Sequence, residues 1–252
     1  MLSPPGETGT PSSSRRDWTQ RVTSVTAACA LLFTGVSVQQ TRSQLRIAAQ
    51  GQVSERFGRS VEQLSSSTLG VRLGGIYALE RLARDSPADQ PTVVEVLSAF
   101  IREHARDQLT PVWIGMVQYL RPATDVRAAL TVLSRRNTSR DNGATVDLLS
   151  ANLAHLVLAH VRLPGAHLDR ADLTGVNLSE ANLAGATLIQ ARASGANLNG
   201  ADLTRADLTE ATLTEADLTG AALREADLTL TGRYGANLEG ADLTGAVRRQ
   251  PF

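Results

Sequence analysis

The stretch Ala196–Gly220 reads ANLNG ADLTR ADLTE ATLTE ADLTG, five phrases of five residues in which the third is always Leu. Working outward at every fifth position, Leu148 to Leu243 gives twenty centres, of which eighteen are Leu; the exceptions are Ala193 and Arg233. Two residues before each centre, Ala fills fifteen of the twenty positions. A period of five matches neither the ~3.6 of a helix nor the ~2 of a strand, so each phrase is one short side of a coil that repeats. Such coils bury their apolar residues only against their neighbours, which builds a scaffold or binding surface more readily than a catalytic cleft.

The phrase A-(D/N)-L-x-x, unbroken from Asp147 onward, resembles the pentapeptide-repeat family. The resemblance implies a right-handed quadrilateral parallel β-helix over 146–247, with the central Leu and the preceding Ala inward. Twenty phrases then give about five coils, stacked at roughly 4.8 Å. In that register the inner ladder holds Leu148, Leu168, Leu188, Leu208 and Leu228 in one column, and Leu158, Leu178, Leu198, Leu218 and Leu238 in another. Leu163, Leu183, Leu203, Leu223 and Leu243 make a third. Both exceptions share the fourth, Leu153, Leu173, Ala193, Leu213 and Arg233. An inward Arg233 would bury an unpaired charge, so Leu230–Gly235 is expected to bulge outward. On the outside, Asp172 should lie under Arg192 and Arg205 under Glu225, with Asn177, Asn197, Asp217 and Asn237 as a polar ladder. Stacked pairs of this kind contribute about 0.2–1 kcal/mol each.

Charge divides the chain. The 25 basic and 25 acidic residues balance, but 146–247 holds 13 acids against 6 arginines, whereas 1–145 holds 17 arginines against 12 acids. An acidic solenoid thus follows a basic half. There is no lysine, and the single Cys29 excludes an intrachain disulfide framework and a CxxC metal site.

Residues 1–20 begin with a Pro-, Ser-, Thr- and Gly-rich run, Met1–Ser14, which predicts a disordered tail. Val22–Thr41 carries no charge over twenty residues, the length a bilayer requires, and arginines flank both ends. The expectation is a transmembrane helix over 21–41, a single-pass location in the cell membrane and a solenoid on the cytoplasmic side. The alternatives are a buried core helix and a cleaved signal, since Ser14-Arg15-Arg16-Asp17-Trp18 resembles a twin-arginine motif; no small-x-small site follows the apolar run.

Residues 42–68 read as a juxtamembrane helix, with Leu45, Ala48, Ala49, Val53, Phe57, Val61 and Leu64 at helical steps. In 69–140, VRLGGIYALERLARDS and TDVRAALTVLSRR predict helices, with a break at Ser86-Pro87 and a restart at Pro91-Thr92. Leu73, Ile76, Leu79 and Leu82 mark one apolar face; Val93, Val96, Leu97, Phe100 and Ile101 mark another. These helices resemble HEAT-type α-solenoid repeats. Glu80, Arg81, Arg84 and Asp85 are placed for i,i+4 surface pairs, and Trp113, Ile114, Met116, Val117 and Tyr119 for the core or the junction with the solenoid. Residues 248–252 form a tail. The order of apolar span, helices and repeats resembles a class of membrane-associated bacterial pentapeptide-repeat proteins, a resemblance that brings no assigned activity.

No nucleophile elbow, phosphate loop or zinc spacing occurs, so an enzyme is not expected, nor any cofactor or metal. His155 and His160 fall on successive sides of the coil, and His104 and His167 are isolated. Asp207 and Asp227 stack with like charge, which could recruit a cation or raise one pKa. The reading is a non-catalytic, membrane-tethered scaffold that binds a protein partner through the solenoid and is attached through 22–41. No direct contact with nucleic acid is expected, and a homodimer through the exposed C-terminal coil is an open alternative. A second reading follows from the family resemblance, a DNA mimic that binds DNA gyrase, toward which the acidic balance points.

Overall fold

The computed structural model of the protein describes residues 51–105, 110–114, 117–121 and 124–249. The expected tail over 1–20 and span over 21–41 lie outside the described residues. Among the described residues no helix is long and apolar enough to cross a membrane.

From Val146 onward every phrase takes one shape. The residue before each centre makes a parallel bridge to the residue twenty positions on, from Asp147 with His167 to Asp227 with Val247. The coil is therefore twenty residues long. The phrase Ala171–Gly175 accounts for its own N–H groups. Ala171 donates to Leu168 O at 3.0 Å and closes the corner, Asp172 donates to Ala151 O in the coil before, and Leu173 and Gly175 donate to Arg192 O and Ser194 O in the coil after. Only the N–H of Thr174 has no backbone acceptor, and the Asp172 carboxylate takes it at 3.1 Å. All twelve phrases with Asp or Asn before the centre repeat this bond. The D/N of the motif thus completes the turn.

The fifth residue of every phrase sits at positive φ, from 54° at Glu180 to 75° at Gly245, as the third position of a type II turn requires. Eleven of these twenty are not Gly, Glu210, Glu215 and Leu230 among them. The bridges on both sides hold them there.

Inside, the central Leu and the preceding Ala are buried throughout the first four coils. The first coil carries Val146, Leu156 and Val161 where the third and fourth coils have Ala, all buried. In the last described coil Ala236, Leu238, Ala241, Leu243 and Ala246 are half-buried.

Arg233 departs from the expected bulge. Gly232 donates to Ala211 O at 2.9 Å, Leu213 to Gly232 O at 2.6 Å and Glu215 to Tyr234 O at 2.9 Å, so the backbone stays in register through Leu230–Gly235. No coil stacks on Arg233 among the described residues, and its side chain is half-buried rather than sealed. Its Nε is nonetheless buried with no hydrogen-bond partner. An unmet buried donor costs about 1–3 kcal/mol, so Arg233→Leu should stabilise the rod by about 1–2 kcal/mol, read as a raised denaturant midpoint. A lower midpoint would show that the guanidinium is needed there. Thr231, an inward polar residue in the same coil, is satisfied by donating to Leu208 O at 2.8 Å.

Four helices precede the rod: α1 (51–64), α2 (Leu69–Asp85), α3 (Gln90–His104) and α4 (Thr124–Arg135). Residues Glu55–Phe252 form one compact unit. The 42–68 segment ends its helix at 64 rather than running to 68. The break between α2 and α3 falls at Ser86, and Pro87–Asp89 makes a short 3-10 turn where proline removes an N–H. Ile76, Leu79 and Leu82 of α2 pack with Val93, Val94, Leu97, Phe100 and Ile101 of α3 and with Val126, Ala129, Leu130 and Leu133 of α4 in the buried core. Helix α2 meets α1 at Gly75, where a Cβ would lie 2.7 Å from Ser60 O; only Gly permits that approach.

The block is not all helix. Between α3 and α4, β1 (Thr110–Ile114) pairs antiparallel with β2 (Val117–Arg121), Ile114 opposite Val117. The stretch with Trp113 and Tyr119 is a hairpin rather than a helical segment.

Candidate functional site: the acidic belt of the rod

Two features decide what the rod can present: how its first coil is closed and how its outer charges are held. In interior coils the N–H before each centre donates to the coil before. Arg162, in the first coil, has no such neighbour, and its N–H donates instead to Ser134 Oγ of α4 at 2.9 Å. Likewise Asp147 O accepts from Arg102 of α3 at 2.8 Å, and Arg102 also pairs with the Asp147 carboxylate. Two side chains of the helical block take the place of a missing coil, which leaves the exterior as the exposed surface.

That exterior is laced along its length. Arg192 pairs with Asp172 at 3.5 Å, Arg205 with Glu225 at 2.8 Å and Arg224 with Asp242 at 2.5 Å. Arg170 donates to Gln190, which donates to Glu210, across three coils. The expected Asn177, Asn197, Asp217 and Asn237 column stands in register. Each member, however, spends its carbonyl or carboxylate oxygen on its own turn. Only Asn237 reaches a neighbouring coil, donating to Thr219 Oγ1 at 2.9 Å.

The 13 acids of 146–247 outnumber its 6 arginines, three of which pair in this way. Asp202, Asp207, Glu210, Glu215, Asp217 and Asp227 have no ion-pair partner among the described residues. They form a belt around the third to fifth coils. Two of its turns favour the charged form: the Thr219 hydroxyl and then the Thr219 N–H hold Asp217 below the usual carboxylate range, and Thr229 does the same for Asp227. Asp242 is brought down to about 2 by the Thr244 hydroxyl, Arg224 and the Thr244 N–H. The stacking of Asp207 and Asp227 therefore does not raise Asp227, because each carboxylate accepts from its own turn, from Thr209 N and Thr229 N.

The histidines stay apart. His155 and His160 occupy the fifth positions of successive phrases; His160 Nδ1 lies 3.1 Å from Glu180 of the next coil. His167 bridges Asp147 in the ladder, and His104 stacks on Phe100 at 4.0 Å. Among the described residues no group of three or more His, Cys, Asp and Glu could hold a metal ion. In the helical block Arg81 pairs with Asp85 at 3.6 Å, whereas Glu80 and Arg84 do not pair but line a cavity.

The repeats match the family model described as pentapeptide repeats in 8 copies, over residues 151–190, 194–229 and 206–247. The chain belongs to the pentapeptide-repeat family. Among solved structures it is similar to a pentapeptide repeat protein from the thylakoid lumen of Arabidopsis thaliana, 31% identical, over 42% of this chain and 68% of that one, TM-score 0.31. It is similar to HetL of Nostoc sp. strain PCC 7120, a protein involved in heterocyst differentiation regulation, 36% identical over 40% of this chain and 52% of that one, TM-score 0.21. A third is QnrB1, a plasmid-mediated fluoroquinolone resistance protein, 20% identical over 40% of this chain and 61% of that one, TM-score 0.23. No curated protein matches the chain.

Proposed function

We propose that the protein is a non-catalytic interaction scaffold whose rod engages a basic protein surface through the acidic belt, and that residues 22–41 hold it at a membrane. The observation that carries this reading is the belt itself: six carboxylates that make no ion pair among the described residues, on a backbone whose ladder leaves them little room to reorganise. Such a surface steers a cationic partner and favours fast, salt-sensitive association. The half-buried Leu238 and Leu243 of the last described coil support self-association there as a further part of the reading.

The test neutralises charge without unmaking the turns. Asn already occupies the Asp position in several phrases and makes the same turn bond. Changing Asp202, Asp207, Asp217 and Asp227 to Asn and Glu210 and Glu215 to Gln should therefore keep the fold. Membrane extracts captured on the full chain should yield a partner that the neutralised chain loses and that elutes with salt; equal capture by both would remove the belt from the reading. Supercoiling assays with DNA gyrase form the second arm, and dose-dependent inhibition would put the DNA-mimic reading first. Fractionation of the full chain against one lacking 1–42 tests the tether, which fails if both are equally soluble.

A further inference from the structure

Away from the rod, α2, α3 and the end of α4 enclose a cavity of about 130 Å³. Its floor is Ala83, Val93, Val94, Leu97, Val132 and Leu133, each at least nine-tenths buried. Polar groups on this inner side are already spent: the buried Gln90 amide donates to Asn137 O and Asp141 Oδ1, both at 2.7 Å. Arg136 donates to Asp141 at 3.0 Å and to Leu133 O at 2.8 Å. A water on this apolar floor would find few of the two to four partners it needs.

The lining also includes three exposed arginines, Arg84, Arg135 and Arg140, with Glu80 as the one acid. None of the three makes an ion pair among the described residues. Three uncommitted guanidinium forks beside a dry aliphatic chamber are complementary to one kind of molecule. The tail must be apolar and small, since a cavity of about 150 Å³ lined by aliphatic groups accepts benzene. The head must be a planar anion, which guanidinium binds in bidentate fashion.

We propose that this cavity is a binding site for a small amphipathic monocarboxylate, with an apolar chain of about five carbons on the floor and its carboxylate among Arg84, Arg135 and Arg140. The site is separate from the belt, so it stands or falls independently of the scaffold reading.

The experiment titrates the full chain calorimetrically with hexanoate, hexanol and acetate. Burying such a tail corresponds to an affinity on the order of 1 mM, and the arginines should make hexanoate about tenfold tighter than hexanol. Acetate should not bind measurably. The Arg84→Gln, Arg135→Gln, Arg140→Gln variant changes only exposed residues and so should keep the fold; it should bind hexanoate no better than hexanol. A second variant, Val94→Phe, fills the chamber and should abolish both. Equal affinity for hexanoate and hexanol in the native chain, retention of hexanoate by the triple variant, or no hexanoate binding at all would each overturn the proposal.

Discussion

Truncating Leu203 to Ala is expected to lower the unfolding free energy of the rod by about 3–4 kcal/mol, while the same change at Leu243 lowers it by about 1 kcal/mol. Both residues stand in one inner column, so they differ in neighbours and not in local geometry. Leu203 is fully buried between Leu183 and Leu223, themselves fully buried. Leu243 has Leu223 on one side and is half-buried on the other. A cavity opened in the middle coil is walled by stiff, laddered backbone that relaxes poorly, which places the cost in the upper range for buried Leu. In a solenoid each coil also carries the interface term of its two neighbours, so a weakened middle coil uncouples the halves of the rod. Guanidinium unfolding followed by circular dichroism reads the difference directly. Equal losses at the two sites would mean that stacking does not set the core energy.

How much of this was legible in the sequence depends on whether the cause was local. The coil length, the inward columns, and the stacking of Arg192 on Asp172 and Glu225 on Arg205 follow from the five-residue phrase, because a closed coil forces residues twenty apart into register. The break at Ser86-Pro87 was legible for the same reason: proline acts on its own backbone. The bulge expected at Arg233 assumes that its column is sealed. With no described coil above it, the cheaper solution keeps the ladder and leaves the side chain half-buried. The hairpin has a local signal, since TPVWI and VQYLR are rich in β-branched and aromatic residues and the two intervening positions, Gly115 and Met116, are a turn signal; reading the apolar run as core or junction within a helical block passes over it.

Other features had no local signal. Nothing near Ser134 or Arg102 marks them as substitutes for a missing coil; their role exists only once α3 and α4 lie against the first phrases. The same is true of the belt, since which acids stay unpaired depends on neighbours twenty residues away. The role of Asp and Asn in closing each turn was visible as composition but not as mechanism. Both residue types face outward, as a merely solubilising residue would.

A second large effect is expected where the helical block locks itself together. Replacing Asp125 by Ala should cost about 3–5 kcal/mol. Asp125, in the first turn of α4, is fully buried and pairs at 2.6 Å with Arg72 of α2, whose side chain is 12% exposed. Arg72 also donates to Ser66 O at 2.9 Å and Ser67 O at 3.0 Å, so one guanidinium ties the α1–α2 connection, α2 and α4. Removing the carboxylate strands a nearly buried cation and leaves the Val126 N–H, which Asp125 Oδ1 accepts at 2.9 Å, without that partner. The native pair need not be strongly stabilising in itself, since desolvation offsets much of its attraction. The double variant Arg72→Met, Asp125→Leu should therefore recover about half of the loss, with the rest reflecting the two loop carbonyls that Arg72 no longer caps. Chemical denaturation of the two single variants and the double variant forms the cycle. Additive losses would show that the two side chains act independently and that α2 and α4 are joined by apolar packing alone.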